Sequence, residues 1–354
     1  MSAAIAESPT EIHHNESRSV APAQASQSAE LELSIIIVSF NTRDLLRECL
    51  TAVQKESSTL RCEIFVVDNA SSDGSAEMVE REFPAVHLIR SDVNLGFGRA
   101  NNLALVRARG RYFVLLNSDA FLAPGALVRA IRHMDANPNC ALGGGLLVGR
   151  DGAWQPSARS FHSITGDAIV LTGLAAKFPH SHIFGSFDRT WADARLSSSV
   201  DWVPGAFSIL RPVALRQTGF FDPAFFLYYE EVDLCLRLKH AGYSVWYWPD
   251  VVITHIGGES SRQLKTLDFS STAAQVVLWR MRSTLLYYRK HHGSRARFAF
   301  WMERTLYAAA MLRNSFTNNP ERLVRKQHFR AQRALLLQAW KDTDGGRTSP
   351  PRPW

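Results

Sequence analysis

Residues 33–40, LSIIIVSF, form an almost unbroken β-branched run with no polar face to offer water. A strand of that kind is stable only when covered on both sides, as in a parallel sheet clad in helices. Apolar runs recur at 64–68, 86–89 and 112–116, with helical spacing between them. Asn41 and Thr42 can cap a helix whose apolar face is Leu45, Leu46, Cys49, Leu50 and Val53. Further helices are predicted over 76–83, 100–109, 122–134 and 232–241, the last ended by Gly242. Strands are predicted over 141–148, 203–210, 245–248 and 251–254. This alternation predicts an α/β fold with a doubly wound, mostly parallel sheet. Residues 150–200 show no clear period and read as a variable excursion. Beyond Leu267 the pattern is helical to the end, with Pro320 and Gly345-Gly346 as breaks.

Doubly wound sheets bind ligands at the carboxyl ends of their strands. Polar residues collect there: Ser39 and Asn41 after the first strand, Asp68 and Asn69 after the second, Asn117, Ser118 and Asp119 after the fourth. One polar strand end is merely a turn; three in succession mark a site. Asp68 can accept hydrogen bonds from a nucleobase or ribose, although alone it would read as an Asx turn. In Asn94-Leu95-Gly96-Phe97-Gly98-Arg99 the glycines permit close backbone approach, and Arg99 at a helix start can meet a phosphate. Asn117 and Asp119, two apart in extended chain, can face one hard cation. Mg²⁺ or Mn²⁺ shared with substrate phosphates is the expected mode for a nucleotide. His255, ending a late strand, is a further candidate ligand, a structural histidine being the plainer alternative. Glu230, Glu231 and Asp233 open a helix behind the aromatic run FFLYY. Acids there favour the helix dipole, and Asp233 could pair with Arg237, but two adjacent glutamates exceed what capping needs. A buried carboxylate with tuned proton affinity is what a general base requires.

Charge matters once it is placed. From Arg280 to Trp354 there are sixteen Lys/Arg against four Asp/Glu, an excess of twelve, while the whole chain is +7, leaving about −5 for the rest. Basicity confined to one end suits an anionic membrane surface and argues against a general nucleic-acid binder. The four cysteines, Cys49, Cys62, Cys140 and Cys235, have no metal-ligand spacing and read as buried reduced thiols of a cytoplasmic protein. Residues 1–30 lack the apolar segment of a signal peptide and are expected to be a disordered arm. The stretch nearest to a membrane span, 298–312, is interrupted by Glu303 and Arg304.

In this order, the segments SIIIVSFN at 34–41, VVDNASSDGS at 66–75, NLGFG at 94–98, LLNSD at 115–119, Gly205-Ala206, EEVDLCLR at 230–237 and HIGGES at 255–260 resemble the inverting glycosyltransferases of family 2, with the GT-A fold. The likeness is strongest to rhamnosyltransferase-like bacterial members and covers about Leu33 to Ser261. It implies a GT-A catalytic domain over 31–262 and a basic helical extension over 263–354. The implied donor is a UDP- or dTDP-linked sugar, and the implied acceptor a glycan or lipid-linked glycan of surface polysaccharide synthesis. The implied location is the cytoplasm, at the inner membrane face. Asp68 would contact the base, Asn117-Ser118-Asp119 would stand for the metal-binding DxD motif with Asn in the first place, and His255 would join Asp119 on the metal. Glu230 and Glu231 would occupy the Glu-Asp pair, with Glu231 as base, and Trp202, Gly205, Ala206 and Asp233 would lie on the sugar and acceptor side. The rival readings are a catalytically silent relative serving as a binding or scaffold subunit, and a nucleotidyltransferase. The latter lacks its phosphate loop here, since Ser39-Phe40-Asn41-Thr42 is not glycine- and lysine-rich.

Overall fold

A computed structural model describes residues 31–257, 269–316 and 319–350. The expected N-terminal arm, the boundary at 262–263 and the last three residues of the HIGGES segment lie outside the described residues. The chain opens with β1 (Leu33–Ser39), α1 (Arg43–Glu56), β2 (Cys62–Asn69), α2 (Ser75–Glu82), β3 (His87–Ser91), α3 (Phe97–Leu105) and β4 (Tyr112–Asn117). Then come β5 (Ala120–Leu122), α4 (Ala126–Ala136), β6 (Cys140–Val148), β7 (Trp154–Gln155), α5 (Ile164–Leu171), α6 (Leu174–Lys177) and β8 (Ser198–Val200). The rest comprises β9 (Phe207–Leu210), α7 (Pro212–Thr218), α8 (Glu230–His240), β10 (Ser244–His255), α9 (Phe269–His292), α10 (Arg295–Arg313) and α11 (Pro320–Asp342).

The strands form one sheet in the order β3-β2-β1-β4-β9-β6-β10-β5, with β7 on β6 and β8 on β10. β1, β2, β3 and β4 pair in parallel, as do β6 and β10. β9 runs antiparallel between β4 and β6. The β-branched runs are covered on both faces: Ile36 and Leu115 enter one core, while Ile35, Ile37, Val114 and Leu116 enter the other. Each such side chain contributes about 1.5–3 kcal/mol when fully buried.

Several elements differ from expectation for local reasons. The amino end of α1 is satisfied by Asp73, whose Oδ2 accepts from Arg43 N at 2.7 Å. Thr42 instead joins a hydroxyl chain, 3.0 Å from Ser39 and 2.8 Å from Ser118. The strand expected over 203–210 begins at Phe207, because Pro204 and Gly205 turn beside a cavity. The two short strands expected after 244 are one, β10, with an irregularity between Trp248 and Val252 where Pro249 has no N–H to give. β5 follows the fourth strand at once and pairs antiparallel with β10, setting His255 opposite Ala120. The excursion at 150–200 contains β7, α5, α6 and β8.

The C-terminal helices pack on the body. Leu286, Tyr287, Tyr288, Ala296 and Ala299 enter the same core as Ile36, and Ser283 Oγ donates to Leu227 O at 2.8 Å. A third cluster joins α9, α10 and α11 through Leu278, Met281, Leu285, Phe300, Tyr307 and Leu336. Cys49, Cys140 and Cys235 are buried, Cys62 is partly so, and all four are free.

Candidate active site

Loops and helices line a cavity of about 320 Å³ at the carboxyl ends of β1, β2 and β4. Asn117, Ser118 and Asp119 line one wall, and His255 comes beside them at the end of β10. Gly205 and Ala206 line the turn before β9, and Glu230 and Glu231 enter from the start of α8. α9 completes the enclosure with Gln275, Val276 and Trp279.

The acidic wall has an unusual backbone beneath it. Tyr228 and Tyr229 both have positive φ, 68° and 69°, a conformation bulky residues adopt only when their surroundings enforce it. The tight turn they make ends the aromatic run and places the two glutamates in the first turn of α8. Tyr229 is locked by its hydroxyl, 3.1 Å from His162 Nδ1, and by the Tyr287 ring, 5.2 Å away between centroids. Gly96 is a close-approach residue: a Cβ there would lie 2.0 Å from Phe226 O, and its φ is +80°. Phe97 N donates to that same carbonyl at 2.9 Å, tying the β3–α3 loop to the aromatic run.

Burial and mutual repulsion separate the two glutamates. Burial raises both carboxyls above the ordinary glutamate range. Glu231 adds to the rise at Glu230, which goes well above that range, whereas Arg159, His162 and the Gly205 amide favour the ionised form of Glu231. These neighbours make Glu231 the more readily ionised carboxylate of the pair. Glu230 Oε2 and Glu231 Oε2 are buried and have no hydrogen-bond partner in the structure.

Across the cavity, His255 Nε2 stands 3.6 Å from Asp119 Oδ1, too far for a hydrogen bond. Two ligands about 2.1 Å from one ion at right angles would stand about 3 Å apart. The pair thus fits the edge of a divalent-cation shell whose other positions come from substrate oxygen and water. No cluster of three or more His, Cys, Asp or Glu able to hold a metal exists among the described residues. Burial lowers the proton affinity of His255 despite the neighbouring Asp119, which leaves the imidazole neutral and able to ligate.

Most of the other expected site residues stand apart from the cavity lining. Ser39 is fully buried in the hydroxyl chain with Thr42. Asn41 Oδ1 accepts from Ser72 N at 2.7 Å and so ties down the β2–α2 turn. Asp68 Oδ2 accepts from Ser71 N at 3.2 Å, while its Oδ1 is buried without a partner. Arg99 Nε donates to Pro223 O at 2.6 Å, which holds the aromatic loop. Trp202 Nε1 donates to Ser160 O at 2.9 Å, below the Arg159 guanidinium. Asp233 lies in a buried ion cluster: its Oδ1 is 2.6 Å from Lys290 Nζ and 2.7 Å from His291 Nε2, and its Oδ2 accepts from Arg237 Nε at 2.8 Å. It is thus a tie between α8 and α9, outside the cavity lining. Asn94 lines the cavity, but its Oδ1 already accepts from Asn69 Nδ2 and Gly96 N, both at 2.9 Å.

Sequence reasoning missed the contributors from 150–200 and from α9. Gln155 bonds His255 twice, and Arg159 and His162 supply positive potential to Glu231. Trp279 closes the cavity with its ring 4.4 Å from that of Phe226. None of these positions carries a local motif; only tertiary proximity gives them a role.

Comparison with known proteins adds the following. The family model described as Glycosyl transferase family 2 matches residues 34–231. The N-acetylglucosaminyl-diphospho-decaprenol L-rhamnosyltransferase of Mycobacterium tuberculosis is 27% identical over 206 residues, covering 54% of this chain and 66% of that one. The chain therefore spans just under two thirds of that relative's length. The rhamnosyltransferase WbbL of Escherichia coli K12 is 26% identical over 266 residues, 72% of this chain and 91% of its own. Among solved structures, a mannosyltransferase of Pyrobaculum calidifontis in complex with GDP-Man and Mn²⁺ is similar in fold. Its TM-score is 0.51 at 16% identity, over 90% of this chain and 89% of that one. The sheet order, the flanking helices and this likeness make the fold GT-A, with helices added at the C-terminal end.

Proposed function

This chain belongs to glycosyl transferase family 2, and we propose that it moves a sugar, with rhamnose the first candidate, from a nucleoside diphosphate to a hydroxyl of a glycan or lipid-linked glycan, inverting the anomeric centre. The relatives whose names specify rhamnosyl transfer motivate the choice of sugar. The observation that carries the reading is the single cavity with Asp119 and His255 on one wall and the buried Glu230–Glu231 pair on another.

Glu231, the more readily ionised of the pair, accepts the proton of the acceptor hydroxyl. The freed oxygen attacks the anomeric carbon as the bond to the diphosphate oxygen breaks. One displacement with no covalent intermediate inverts the configuration. Glu230 beside it, its carboxyl raised by burial and by Glu231, hydrogen-bonds the acceptor or sugar. Asp119 and His255 would hold Mg²⁺ or Mn²⁺, which when bound offsets the charge growing on the leaving diphosphate. The Mn²⁺ in the similar mannosyltransferase supports that choice of ion. Asp68, with an unpartnered oxygen at the end of β2, remains the candidate for the base.

The test is a panel of UDP-, dTDP- and GDP-sugars offered to the purified chain with lipid-linked and free glycan acceptors, in Mg²⁺, in Mn²⁺ and with chelator. Metal-dependent transfer with an inverted product linkage is expected. Nucleotide binding without turnover across the panel would instead establish the silent relative.

A further inference from the structure

The side-chain amide of Gln155 meets His255 at two points. Its Nε2 donates to the His255 carbonyl oxygen at 2.8 Å, and its Oε1 lies 2.9 Å from His255 Nδ1. The carbonyl oxygen has no proton and can only accept, so it fixes which end of the amide faces it. With the NH₂ group committed there, Oε1 must face the imidazole. An amide oxygen can only accept, so Nδ1 carries a proton, and in the neutral ring that leaves the lone pair on Nε2. Turning the amide over would set its oxygen against the carbonyl oxygen and lose that bond, leaving at most one, from the NH₂ group to an unprotonated Nδ1. The lone pair on Nε2 is then left facing the Asp119 carboxylate 3.6 Å away. Two electron-rich groups aimed at one another at that distance with no proton between them suit a cation.

We propose that Gln155 is a positioning residue that holds His255 in its Nδ1–H tautomer and aims Nε2, with Asp119, at the metal of the transfer reaction. The inference rests on the metal role given to Asp119 and His255 above. Gln155 is suited to the task by its place in the fold. It stands on β7, a two-residue edge strand paired to β6 at Leu147, while β10 brings His255 past the other side of β6. The clamp thus joins the excursion after β6 to the metal side of the cavity across 100 residues of sequence. A ligand histidine commonly donates its second ring N–H to an oxygen, and losing that partner weakens metal binding about 10–100-fold.

Three variants of the full chain separate the possibilities. Gln155→Met keeps the length of the side chain and removes both polar ends. Gln155→Glu keeps an acceptor for Nδ1–H. His255→Ala supplies the assignment of the histidine signals. In metal-free protein labelled with ¹⁵N-histidine, the wild type should show a protonated Nδ1 and an unprotonated Nε2 at His255. Gln155→Met should lose that preference, and Gln155→Glu should keep it, with similar melting temperatures for all. Mn²⁺ binding in the presence of UDP, read from the free-ion EPR signal, should weaken about 10–100-fold in Gln155→Met. A wild-type protein protonated at Nε2, or a Gln155→Met protein with unchanged tautomer, overturns the clamp. A wild type with the expected tautomer that binds no Mn²⁺ sinks the metal role itself, and the purpose of the clamp with it. The two failures are therefore distinguishable.

Discussion

At the scale of the residue, the two glutamates make the sharpest prediction. General-base catalysis is worth about 10²–10⁴-fold, so Glu231→Gln should cost at least about 10² in turnover while nucleotide binding stays nearly constant. Glu230→Gln should cost less. The pH profile sharpens the assignment. A base must be ionised, and burial holds Glu231 above the ordinary 4.5, so the acid limb of kcat/KM should lie above that value. That limb should persist in Glu230→Gln and vanish in Glu231→Gln. The opposite pattern would move the base to Glu230. Asp119→Ala should abolish metal-dependent transfer with the fold intact, and full activity of that variant in Mg²⁺ or Mn²⁺ would refute the metal assignment. Asp119, His255, Glu230 and Glu231, singled out in the sequence by strand ends and crowded acids, come together in the lining of one cavity. Arg99 and Asp233 stand apart from the cavity lining because their partners Pro223 and Lys290 lie 57 or more residues away, and only the fold brings them near.

Secondary-structure elements show the same division. β1 to β4 and the helices between them were readable because each apolar run has one consistent period. β5, β7 and β8 were not, since three residues or fewer leave no period to detect. The union of α8 and α9 through Asp233 was equally hidden, and it carries a measurable consequence. Burial pushes the Asp233 carboxyl up, but the His291 hydrogen bond and the charges of Arg237 and Lys290 outweigh it and hold the group at about 2. A carboxyl held below its unfolded value of 3.8 lends stability above that pH and loses it as pH falls toward 2. The shift corresponds to roughly 2–3 kcal/mol. Asp233→Asn should therefore lower stability at pH 7 by about that amount, and the gap to wild type should close near pH 2. Denaturant melts at several pH values test this; a gap independent of pH would mean the cluster acts through packing alone. A second element-scale prediction concerns Gly96→Ala, whose Cβ would collide with Phe226 O. It should perturb the β3–α3 loop and the aromatic run together, raising KM for the donor and slowing turnover.

For the molecule as a whole, the open matter is what the C-terminal helices face. One side of α10 is committed to the interior through Ala296, Ala299, Phe300 and Tyr307. Phe298, Trp301 and Leu312 are exposed at 68%, 52% and 59%. At 100° per residue those three fall within a stripe of about 60°. Arg304 lies over the Trp301 ring at 4.3 Å, and exposed Arg322 and Arg325, with half-buried Lys326, stand on α11 beside exposed Leu323 and Val324. No helix among the described residues is long and apolar enough to cross a bilayer, so the stripe can at most lie on one. An apolar stripe bordered by cations is the pattern of a helix at an anionic membrane surface, each basic group near it adding about 1 kcal/mol. A lipid-linked acceptor would be met there. The chain should therefore sediment with liposomes containing anionic lipid, less so as salt rises, and weakly with neutral ones. Phe298→Ser with Trp301→Ser should reduce that binding without lowering transfer to a soluble acceptor, because neither side chain lines the cavity. Equal sedimentation with both lipids, or none with either, would mean that the stripe is covered by protein, and a concentration-dependent rise in mass would then identify a second copy of this chain as the cover.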